Sequence, residues 1–166
     1  MAPILSDLEN RMEIAIALKL HLLAVVVWVG GMFFAWMCLR PVAGVLLEPP
    51  ERLRLWVGVF EQFFPWVWAA VPIILGTGLW LMKARYGAMG DAPLFVDAMF
   101  GLGVLMMLIF MHVFFAPYRR LRIAVMNQDW PTGGRSLAQI RKLVATNMLL
   151  GLVTVAVAAG GYLVAL

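Results

Sequence analysis

Residues Leu18–Leu39 read LKLHLLAVVVWVGGMFFAWMCL, and this stretch decides the fold. It holds one formal charge, Lys19, and one histidine, His21. Wound as an α-helix at ~1.5 Å per residue it is long enough to cross a hydrocarbon layer of about 30 Å. Read outward, the apolar span runs from about Ile14 to Leu39. Three further segments meet the same standard: Phe63–Met82 without any charge, Leu94–Ala116 with Asp97 near its start, and Leu143–Leu166. Backbone groups inside lipid must bond within their own segment, so four such spans predict an all-α protein, an integral membrane four-helix bundle. Residues 1–166 form one transmembrane domain, with spans of about 14–39, 63–82, 94–116 and 143–166.

Composition supports that reading. Hydrophobic residues make up 64% of the 166 and charged residues 13%, and the mean hydropathy is +0.92. Soluble domains are about 45–50% apolar and about 25% charged. A soluble enzyme, a disordered tail and a nucleic-acid-binding domain are therefore excluded. The net charge of +4 does not point to nucleic acid, because the basic residues cluster in loops between spans. Lone Cys38 cannot form an internal disulfide. The acidic residues Asp7, Glu9 and Glu13 before span 1 argue for a retained helix rather than a cleaved signal.

Nine of the thirteen basic residues follow spans 1 and 3: Arg40, Arg52, Arg54, Arg119, Arg120, Arg122, Arg135, Arg141 and Lys142. The positive-inside rule then predicts both termini outside. Trp36, Trp56, Trp66, Trp80, Trp130 and Tyr86 lie near span ends and read as interfacial belts. The segment Leu53–Gln62 is amphipathic and extends span 2 or lies at the interface. Pro65 and Pro72 suggest a kink in that span. Met126–Gly134 reads as a polar turn. Small residues mark expected packing faces: Gly30 and Gly31, Gly76 and Gly78, Gly101 and Gly103, and Ala156 with Gly160.

Ionisable groups inside a span are costly and so are functional candidates. Depth is counted from Arg40 and Arg119 at the basic ends, using the helix rise. His21 then lies ~28 Å up, Lys19 ~31 Å, Asp97 ~33 Å and His112 only ~10 Å. His21 and His112 differ in depth by roughly 18 Å, which disfavours a haem held by both within one chain. A dimer bringing two His21 rings to one depth would restore that option. Lys19 and Asp97 could form a charge pair at the outer mouth. His21, Trp28 and Met32 share one helical face. Met82 and Met99 stand near the outer level, and thioether sulfur suits Cu(I). Neutral histidine ligates copper and iron alike. A histidine–methionine copper site of His21, Met82 and Met99 is chemically sensible, with His112 serving an inner site beside Met37, Cys38, Met111 and Asn147. The alternative is that these histidines are hydrogen-bonded structural residues and the methionines core filling. Asp97, Gly101, Leu105, Leu108 and His112 fall in one stripe that could line a polar path.

The runs Leu18–Ala24, Trp28-Val29-Gly30-Gly31-Met32-Phe33 and Arg40-Pro41 resemble the opening helix of the copper-resistance D (CopD) membrane family. Ile74–Trp80, Arg141–Val144 and Asn147–Gly151 extend the resemblance across all four spans. It implies a multi-pass protein of the bacterial inner membrane that handles copper, with a periplasmic copper-binding protein as partner. The same core is similar to HemJ-type protoporphyrinogen oxidases, which share the His21-to-Trp28 spacing and a histidine near the end of span 3, here His112. That similarity implies haem b, with His21 or His112 as axial ligand, in a redox protein. A non-catalytic membrane accessory subunit is the third reading. The balance leans away from an enzyme; a haem-dependent oxidoreductase is the enzymatic alternative. No catalytic triad or nucleotide-binding motif appears.

Overall fold

A computed structural model describes residues 2–87 and 92–164, with side-chain detail for 8–87 and 92–161. Among the described residues all regular structure is helical. The chain forms four antiparallel rods. The first joins α1 (Ala2–Phe34), a π-helical segment (Ala35–Leu39) and α2 (Arg40–Leu46). The second is α3 (Pro49–Tyr86). The third joins α4 (Leu94–Val113), a second π segment (Phe114–Tyr118) and α5 (Arg119–Met126). The fourth is α6 (Trp130–Val164). All four are long and apolar enough to cross a membrane.

The rods outrun the expected spans because polar helix ends continue past the hydrocarbon. Leu53–Gln62 belongs to α3, which stays helical through Pro65 and Pro72. The expected turn at Met126–Gly134 shrinks to Asn127–Asp129. Gln128 there takes a left-handed φ of 57°, and α6 starts at Trp130 with Pro131 in its first turn, where a missing N–H costs nothing. The Asp129 carboxylate accepts from the Thr132 N–H at 3.1 Å, the bond pattern of an N-cap. Hydrogen bonds from Thr132 hold this carboxyl below its usual range.

Packing is closest between α1 and α3, and between α4–α5 and α6; α6 also meets α1 and α3. The first and third rods therefore face each other across the diagonal, where the Trp28 edge meets the Phe110 ring at 6.2 Å. The core is aromatic: Phe60 and Phe64 stack at 5.1 Å, and Phe64 receives the edges of Tyr118 at 4.8 Å and Phe110 at 5.6 Å. Leu22, Leu23, Val26, Phe33, Leu149 and Val153 point outward and exposed, the surface a lipid environment requires. Trp56 corrects the belt reading. It is buried against Phe60, while Trp66 and Trp80 remain outside.

Two of the seven expected glycine contacts form. The Phe63 ring occupies the space of a Gly31 Cβ, and Gly78 lies against His21. Gly30, Gly76, Gly101, Gly103 and Gly160 have nothing within 4 Å of the place a Cβ would take, and Ala156 is exposed. Gly151 is a contact the pattern did not mark. A Cβ there would stand 2.8 Å from Val29 Cγ2 and 3.1 Å from Met106 Cε, so three rods meet at one hydrogen atom. Gly151→Val should cost about 1–3 kcal/mol by overpacking, read as a lower unfolding midpoint in detergent. Gly101→Ala, in open space, should be close to neutral. Equal effects of the two would refute this account of the contact.

Candidate functional site

His21, Ala24, Trp28 and Met32 form the inward stripe of α1. Ala24, Trp28 and Met32 are buried and His21 is half-buried. Across from His21 stands Thr77 of α3. The His21 Nδ1 to Thr77 Oγ1 distance is 2.9 Å. Thr77 has one hydroxyl proton, and it donates that proton back to the Ile73 carbonyl one turn earlier, a common habit of threonine inside helices. Its oxygen must therefore accept from His21. In the neutral ring this bond places the proton on Nδ1, and Nε2 keeps a lone pair with no hydrogen-bond partner among the described residues. This is the arrangement in which a histidine acts as a metal ligand: one nitrogen held by a neighbour, the other free. Gly78 makes it sterically feasible. A Cβ at that position would lie 3.3 Å from His21 Cε1, so the bare backbone gives the ring room against α3. Met82 is buried and lies one turn further along the same face of α3 as Gly78.

The remaining residues are more dispersed. Lys19 and Asp97 are exposed, and the ion pair found among the described residues joins Arg122 to Glu61 at 3.3 Å, with both side chains half-exposed. The expected Lys19–Asp97 pair does not form, because α1 and α4 are diagonal neighbours. Met99 is half-buried on α4, whose main partner is α6. His112 is exposed on the outer face of the third rod. Met37 and Cys38 of the first rod and Met111 of the third are exposed as well, and the inner cluster with Asn147 does not assemble. The stripe Asp97, Gly101, Leu105, Leu108 and His112 also corrects an expectation. Asp97, Gly101, Leu105, Leu108 and His112 are all exposed, and the inward face of α4 is Met106, Met107, Phe110 and Val113. Trp28 and Phe110 fix the register of the diagonal rods. From them, His21 and His112 are separated by about 13 Å along the axis, and their rings face different ways. Among the described residues no three His, Cys, Asp or Glu side chains gather as a metal site.

Sequence reading passed over two features. One is Thr77, whose signal was its place between Gly76 and Gly78. The other is an apolar cavity of about 360 Å³ in the middle of the bundle, lined by Trp28, Met32, Phe60, Phe64, Phe110 and Asn147 among others. Asn147 is 3% exposed, and its Oδ1 has no hydrogen-bond partner. It is the polar group of an otherwise apolar and aromatic wall.

Four apolar rods around a half-buried histidine define a small multi-pass membrane protein. A family model described as copper resistance protein D (CopD) matches residues 57–160, and the chain belongs to that family. The matched segment contains Thr77, Gly78, Met82 and all of the third rod; His21 lies before it. Searches of curated proteins and of solved structures found no match.

Proposed function

We propose that this copper-resistance membrane protein binds copper inside its bundle, with His21 Nε2 as the ligand, and helps move or sequester the ion. The observation that carries this reading is the Thr77 hydrogen bond, which leaves Nε2 as a lone-pair donor half-buried between α1 and α3. Met82 supplies a soft sulfur on the same face, a ligand type suited to Cu(I). Lys19 and Asp97 set the charge at the mouth of the site, and Met99 is a further sulfur at that level. The charge distribution supports both termini outside a bacterial inner membrane, which would open the His21 level to a periplasmic copper-binding protein. His112 on the outer face would ligate only between two copies of the chain, so a homo-oligomer is the setting in which it has a role. Haem b is the alternative occupant, with the same Nε2 as axial ligand in a HemJ-like redox protein.

One preparation tests both. Detergent-purified protein is titrated with Cu(I) against a chromophoric chelator, and its oxidised and dithionite-reduced absorption spectra are recorded. Stoichiometric copper with a featureless visible spectrum is the expected result. A Soret band with sharp reduced α and β bands would reassign His21 to haem. Neither signal would leave the accessory-subunit role and remove the copper reading.

A further inference from the structure

Arg40, Arg52 and Arg141 belong to three different rods: the start of α2, the first turn of α3, and α6. They converge at the arginine-rich end of the bundle. The Arg52 side chain reaches the Gly44 carbonyl at the end of α2, Arg141 stands beside Trp56, one turn after Arg52 on α3, and among the described residues no salt bridge joins any of the three to a carboxylate. Glu48 and Glu51 flank Arg52 in sequence but are exposed, and the Arg122–Glu61 ion pair joins other residues. Arg52 bonds only weakly, to the Gly44 carbonyl at 3.4 Å. Two N–H groups at this end also lack an acceptor, although both are shut off from solvent: Arg141 Nε and Trp56 Nε1. They are neighbours, since the Arg141 guanidinium stands 6.0 Å from the Trp56 ring centroid. Trp56 itself is only 4% exposed.

Among the described residues, three cations without a counter-charge, beside two buried donors without an acceptor, leave one kind of group missing. It must be an anion with several acceptor oxygens. Buried N–H groups are ordinarily paired, and arginine's planar fork matches phosphate. The place suggests where a phosphate would come from. Arginine and tryptophan at the ends of spanning helices stand at headgroup depth, and basic pockets between such helices hold anionic headgroups. Leu39 and Leu143, next to Arg40 and Arg141 in sequence, line the apolar cavity above, so an acyl chain has an apolar surface beside the cluster.

We propose that Arg40, Arg52, Arg141 and the Trp56 indole N–H form a phosphate-binding site that takes the headgroup of an anionic phospholipid. The assignment does not depend on copper or haem. It is tested on the full chain in detergent by following the unfolding midpoint as phosphatidylglycerol, phosphatidylcholine or inorganic phosphate is added. Phosphatidylglycerol should raise the midpoint and phosphatidylcholine should not. Arg52→Gln should raise the half-saturating phosphatidylglycerol concentration about fivefold, and Arg141→Gln at least about tenfold. Arg135→Gln removes an exposed arginine of the same end that bonds Thr132, and should leave the response unchanged. The half-exposed Arg52 keeps the test informative if Arg141→Gln does not fold. An equal response to millimolar inorganic phosphate, lost in the same variants, would keep the site and make its ligand a free phosphate. Stabilisation that survives both Arg52→Gln and Arg141→Gln, or none from any additive, would overturn the proposal.

Discussion

His21→Ala should abolish stoichiometric Cu(I) binding, while His112→Ala leaves it intact. The difference follows from placement: His21 is half-buried between α1 and α3, whereas His112 is exposed on the outside of the third rod. Thr77→Val is the sharper variant. It keeps the volume and removes the oxygen that fixes the ring. Losing such a supporting group typically lowers metal affinity 10–100-fold. Thr77→Ser, which restores the acceptor, should recover most of it. Competition titration with a Cu(I) chelator reads all four variants. If Thr77→Val binds as tightly as the parent, the proton assignment at His21 is wrong and the ring has no reserved nitrogen.

The second large effect concerns the core. Phe64→Ala should destabilise the protein by about 3–5 kcal/mol. Phe64 is 4% exposed and touches the rings of Phe60, Phe110, Phe114 and Tyr118. In lipid, apolar surface gains little from leaving its surroundings, so close packing carries much of the association of spanning helices. Removing a ring that joins the second rod to the third leaves a hole beside an existing cavity. Phe115→Ala is the control: that side chain is 62% exposed and should cost well under half as much. Equilibrium unfolding in mixed micelles compares them, and similar losses for both would show that ring packing is not what holds these rods together.

The number of rods and their rough limits could be read from hydropathy, because lipid imposes a length that any apolar run either meets or misses. The inward face of α1 was also readable, since His21, Trp28 and Met32 differ in kind from the aliphatic residues around them. The face of α4 was not. Its 20 residues are apolar almost all round, so the helical period carries no contrast, and Asp97 and His112 drew attention to the outward side. Glycines were readable only in part for a related reason. A glycine in a spanning helix shows that close approach is permitted, and only the partner, such as Phe63 at Gly31 or Val29 at Gly151, shows whether it occurs. Thr77 escaped notice because its importance lies in a proton count that needs both helices in place.

The two π segments bear on how this chain can vary in length. A π turn holds one residue more than the α-helix it interrupts. Ala35–Leu39 and Phe114–Tyr118 each run directly into an arginine, Arg40 or Arg119. Losing one residue from either segment would return it to α geometry and leave the helix on each side facing as before. The same loss in α3 between Phe60 and Val67 would turn everything beyond it by about 100°, carrying Thr77 away from His21. Single-residue deletions are therefore at home at the arginine-side ends of the first and third rods, and lethal to the site in the middle of the second.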